Sequence, residues 1–115
     1  MNNPMSSVTA RILRVIDGDT FEALIDVGFG IVLKRHVRIL GINCPELHGL
    51  TKAAGEAARA AAEAWFKDRP SVTLLTNQGK DTDAFGRVLA EVRDATGASL
   101  GELLLATGNA VPFKG

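Results

Sequence analysis

The chain has 115 residues, is 46% hydrophobic, and sets 13 Lys plus Arg against 13 Asp plus Glu. These values point to one domain with a buried core and exclude a largely disordered chain. One cysteine, Cys44, excludes an internal disulfide and a cysteine-ligated zinc site, and zero net charge argues against tight binding of long nucleic acid by charge alone.

Residues 1–7 carry neither a basic nor an apolar segment, so a flexible N-terminus without a signal peptide is expected, in an intracellular protein. Residues 8–16, VTARILRVI, predict a first strand that ends at the turn dipeptide Asp17-Gly18. Residues 20–27 alternate as a second strand, with Phe21, Ala23 and Ile25 on one face and Glu22 and Asp26 on the other. Gly28 and Gly30 form the next turn. Residues 31–42 read as one long third strand, Leu33, Val37 and Ile39 opposing Lys34, His36 and Arg38. Its Lys34, Arg35, His36 and Arg38 cluster reads first as a solvated strand edge.

Residues 51–67 then change to helical spacing, with an apolar stripe of Ala54, Ala57, Ala58, Ala61 and Trp65. Lys52, Glu56, Arg59, Glu63 and Lys67 make the opposite face and suggest i,i+4 ion pairs. Pro70 ends this helix, and residues 72–76 form the fourth strand. After the polar stretch NQGKDTDAFG, residues 87–93 form the fifth. Residues 98–106 predict a short C-terminal helix capped by Ser99 and closed by Gly108, and residues 111–115 are a short tail. The fold class is therefore α+β, mainly β: a five-stranded OB-fold Greek-key barrel over residues 8–110, with a helix between strands three and four. No apolar run reaches the ~18 residues of a membrane span, so no membrane partner is expected, and a monomer is.

Three stretches could carry chemistry, and each alone reads first as turn or strand-end punctuation. IDGDT, residues 16–20, has a turn's Asp and Gly, yet a second carboxylate at a strand start suits a hard cation. RILGINCPE, residues 38–46, joins an arginine to a carboxylate through a proline turn that can aim both at one spot. A guanidinium there would grip a phosphate bidentately, and Glu46 would order or deprotonate a water. DTDAFGR, residues 81–87, offers Arg87 as a second phosphate clamp against charge that grows in a transition state. Cys44 reads as a buried filler, Trp65 as core, and His36 and His48 as too isolated for zinc.

Together, in this order and on this strand pattern, the three stretches resemble the staphylococcal nuclease (thermonuclease) family over about residues 8–110. The carriers are Asp17-Gly18-Asp19-Thr20, Arg38 through Pro45-Glu46, and Thr82-Asp83 with Phe85-Gly86-Arg87. The resemblance implies a calcium-dependent endonuclease that cleaves DNA or RNA and leaves a 3′-phosphate. It implies calcium ligands at Asp19, Asn43 and the Cys44 carbonyl, catalytic roles for Arg38, Glu46 and Arg87, and substrate contacts at Asp83 and Phe85. Two positions depart from the family. Asn43 stands where the staphylococcal enzyme has an aspartate, which lowers the ligand charge and with it the expected calcium affinity. Phe85 stands where it has a tyrosine, which keeps stacking and loses a hydroxyl. The alternative expectation is an OB module that binds nucleic acid without cleaving it. A third is a protein-interaction domain.

Overall fold

A computed structural model describes residues 5–77, 82–83 and 86–113. Phe85 and residues 1–4 of the expected N-terminal tail lie outside the described residues, as does most of the polar stretch between the fourth and fifth strands. The strands of the barrel are β1 (Met5–Asp17), β2 (Thr20–Asp26), β3 (Val32–Ile39), β5 (Ser71–Asn77) and β6 (Val88–Arg93), closed in the order β1-β2-β3-β6-β5. All neighbours are antiparallel except β3 and β6, which run parallel over Val37–Ile39 and Val88–Ala90. With α1 (Lys52–Lys67) between the third and fourth barrel strands, this is the OB-like α+β barrel that the strand order predicts. β1 begins earlier than predicted, and Met5, Ser6 and Ser7 pair with Asn77, Thr76 and Leu75.

The alternation in β2 holds: Phe21, Ala23 and Ile25 are buried. They meet Val37 and Ile39 from β3, Val72 and Leu74 from β5, and Ala90 and Val92 from β6. The second helix, α2 (Leu100–Ala106), starts where predicted, with the Ser99 hydroxyl accepting the Glu102 N–H at 3.2 Å, and adds Leu100 and Leu104 to the core.

Two features differ from the sequence reading. The third strand does not run to Ile42. It breaks at Leu40-Gly41, where Gly41 has φ 81, and resumes as β4 (Ile42–Asn43), which pairs with β7 (Val111–Pro112) of the C-terminal segment. Phe113 N–H donates to Gly41 O at 2.9 Å and fastens this corner. The buried stripe of α1 is also rotated from the predicted one. Gly55, Ala58, Ala62, Trp65 and Phe66 are buried, whereas Ala54 and Ala57 are exposed. Phe66 sets the rotation by packing on Phe21 with ring centroids 5.0 Å apart, and the bare Cα of Gly55 lets the helix start lie against the Glu46 backbone. Among the described residues, α1 forms none of the i,i+4 ion pairs its sequence suggests. Trp65 is core as expected, with the Arg69 guanidinium 4.4 Å from its ring centre and Arg69 Nε donating to Asp94 at 2.8 Å. Asp94's carboxyl is held well below the usual range by its hydrogen bonds with Thr96 and then Arg69.

The β2–β3 turn carries the one non-glycine residue with positive φ among those described, Phe29 at φ 57, and its side chain is fully exposed. A bulky side chain in this left-handed region is strained, and asparagine tolerates it. Phe29→Asn is expected to stabilise the protein by about 0.5–1 kcal/mol, seen as a rise in the urea midpoint at constant m-value.

Candidate active site

The site is assembled where the β1–β2 turn meets the end of β3 and the segment after β4. Gly18 and Asp19 form a two-residue turn, with Asp17 opposite Thr20. A turn aspartate is normally solvated, but Asp19 is only 6% exposed. Its burial is offset by partners. Asp19 Oδ2 accepts the Cys44 N–H at 2.8 Å and lies 3.5 Å from Arg38 Nη1, and Oδ1 accepts the Thr20 hydroxyl at 3.2 Å. Asp19 is thus the staple that draws the Asn43–Glu46 segment onto the barrel. Gly18 makes the approach possible: a Cβ there would stand 2.7 Å from Cys44 Sγ and 2.8 Å from Ala58 Cβ.

Arg38 is fixed on several sides. Nη1 donates to Ile39 O at 2.9 Å, Nη2 donates to Asn43 Oδ1 at 3.3 Å, and the guanidinium lies 5.6 Å from the Phe113 ring centre. The basic cluster of the third strand therefore divides: Lys34 and Arg35 are exposed, His36 lies 3.3 Å from Glu22, and Arg38 turns into the site. Arg87 is held by Asp83, whose carboxylate accepts the Arg87 backbone N–H at 2.9 Å and Nε at 2.7 Å. Asp83, expected to contact substrate, thus also grips Arg87 and orients its guanidinium.

Glu46 sits after Pro45 on a short loop that leads through a 3-10 turn, Gly49–Thr51, into α1. Thr51 Oγ1 donates to Glu46 O at 2.9 Å. Gly55 packs against that same carbonyl, since a Cβ at residue 55 would stand 2.7 Å from the carbonyl carbon. The backbone at Glu46 is therefore clamped, while its side chain is exposed.

Asp19, Arg38, Asn43, Cys44, Glu46 and Arg87 line one cavity of ≈ 300 Å³, joined by Asp17, Pro45 and Phe113. The cavity brings together two guanidinium groups, three carboxylates and an amide oxygen. Asp17 was not singled out as a site residue from the sequence. Burial, then its hydrogen bond with Asp19 and the Asp19 charge, push its carboxyl up to about 6. The Cys44 thiol is buried and pushed up to about 12 by burial and then by Asp19 and Asp17, which keeps it protonated and inert, as a filler should be.

Among the described residues, no three His, Cys, Asp or Glu side chains are grouped to hold a metal ion. Of the ligands expected for calcium, Asp19 and Asn43 both face Arg38, and Cys44 meets Asp19 through its N–H. What the site does offer a hard cation is oxygen: the Asp17 and Asp19 carboxylates, crowded enough to raise one carboxyl, and the Asn43 amide beside them. These are oxygen donors of the kind a hard cation such as calcium takes. No protein-family model matches the chain, and no curated protein matches it significantly. Among the described residues, no helix is long and apolar enough to cross a membrane.

Proposed function

We propose that the protein is a calcium-dependent endonuclease of the staphylococcal nuclease type, hydrolysing phosphodiester bonds of DNA or RNA. The observation that carries this reading is the convergence of Arg38, Arg87 and Glu46 on one cavity with Asp19 and Asn43. A simple anion-binding pocket gains nothing from an exposed carboxylate next to two arginines, because that carboxylate repels phosphate. A hydrolase needs it.

In this mechanism Arg38 and Arg87 hold the non-bridging phosphate oxygens and offset the charge that accumulates as phosphorus becomes five-coordinate. Glu46 takes a proton from the water as its oxygen bonds to phosphorus. The bond to the 5′-oxygen breaks, that oxygen collects a proton from solvent, and the 3′-phosphate remains on the preceding nucleotide. Asp19 and Asn43, with the Cys44 carbonyl and Asp17 nearby, would hold calcium, which when bound polarises a phosphate oxygen. Phe113, beside Arg38, offers an apolar face to a sugar or base.

The test is end-group analysis of a labelled oligonucleotide incubated with calcium. Internal cuts bearing 3′-phosphates support the reading, and an intact oligonucleotide sinks it. Asn43 also shapes a metal prediction. Asn43→Asp adds a charge beside Asp19 and is expected to tighten calcium binding by roughly tenfold, measured by calorimetric titration. An unchanged titration would remove Asn43 from the ligand set.

A second reading, an OB module that binds nucleic acid without cutting it, draws on the uncharged Asn43 amide and on Arg38 bonding to that amide. It predicts oligonucleotide binding with intact products.

A further inference from the structure

The loop that carries Glu46 also carries His48, a side chain that takes no part in holding the phosphate or moving the proton. His48 Nε2 lies 3.1 Å from Glu46 Oε2. The loop backbone prepares this contact. The Thr51 hydroxyl is within reach of two carbonyls, Glu46 O at 2.9 Å and His48 O at 3.3 Å, and draws residues 46–48 into a compact turn. Gly55 closes against the Glu46 carbonyl from the helix side. The carbonyls are thereby fixed, but the Glu46 side chain is 74% exposed and would otherwise sample many rotamers. Arg38 does not restrain it, being turned to Asp19, Ile39 O and Asn43.

We propose that His48 is a positioning residue for Glu46. Its Nε2 stands within ion-pair distance of one carboxylate oxygen and leaves the other for the attacking water. An imidazole donor suits the task because, neutral or protonated, it can hold the carboxylate without filling the cavity as a long cation would. This proposal rests on the nuclease reading above. A general base works only when aimed, and a misplacement of about 1 Å costs up to about a hundredfold in rate.

The experiment measures kcat and KM on a single-stranded oligonucleotide with calcium for wild type, His48→Ala and His48→Gln, and repeats His48→Ala in a Glu46→Gln background. The expected result is a fall in kcat of about tenfold or more for His48→Ala with KM within about twofold. Glutamine, which keeps an N–H donor, should restore most of the rate, and the alanine change should cost nothing further once Glu46 is glutamine. Thermal melting of His48→Ala should match wild type, since the side chain is exposed. A cleaving wild type with full kcat in His48→Ala overturns the proposal alone, as does an equal loss in the Glu46→Gln background. A wild type that cuts nothing overturns the nuclease reading, and this proposal with it.

Discussion

Glu46→Gln is expected to lower kcat by roughly 10²–10⁴-fold while leaving oligonucleotide affinity nearly unchanged. Glutamine keeps the size and the contact with the loop, and removes the capacity to take a proton from water. The carboxylate is exposed and contributes little to folding, so the melting curve should stay in place. The comparison is made by steady-state kinetics alongside a binding isotherm measured without calcium. Equal kcat in both proteins would remove Glu46 from the chemistry. A parallel loss of affinity would instead mark it as a structural support of the cavity.

The second large effect concerns stability. Alanine in place of glycine inside a helix ordinarily stabilises by about 1 kcal/mol. At residue 55 of α1 the sign should reverse. A Cβ there would stand 2.7 Å from the Glu46 carbonyl carbon and 3.0 Å from the Leu47 nitrogen, both backbone atoms that cannot rotate away. Gly55→Ala is expected to cost about 2–3 kcal/mol, a fall in melting temperature of roughly 10 °C, and to move the Glu46 loop enough to depress kcat as well. Circular dichroism melting checks this. A variant as stable as wild type would mean that α1 does not press on the loop.

Gly55 also illustrates what the sequence conceals. Within KAAGEAARAAAEAWFK it looks like one more small residue, and only its helix-weakening character hints at a close approach. The predicted apolar stripe followed the alanines and so missed Phe66 and the rotation it imposes. The barrel was legible because alternation in β2, the stop at Pro70 before β5 and the length of α1 are local signals. The break at Gly41 and the pairing of β4 with β7 were not, because that pairing joins residues about seventy positions apart, with no periodicity to announce it. The candidate site lies between these cases. Arg38, Glu46 and Arg87 could be picked out by residue type and spacing. Their supports could not: Asp19 buried beneath Cys44, Asp83 gripping Arg87, and His48 against Glu46 are contacts made by the fold. Asp17 reads from the sequence as a turn residue, and its raised carboxyl follows from burial that a turn dipeptide does not reveal.

Cleavage of a phosphodiester bond at this cavity, as proposed, is checked by incubating purified protein with single-stranded DNA in calcium and in chelator. Glu46→Gln, purified in parallel, controls for a contaminating nuclease. Fragments are expected with calcium, intact DNA with chelator, and intact DNA with the variant. DNA that stays intact with wild type and calcium, or fragments that appear equally with Glu46→Gln, would overturn the nuclease reading.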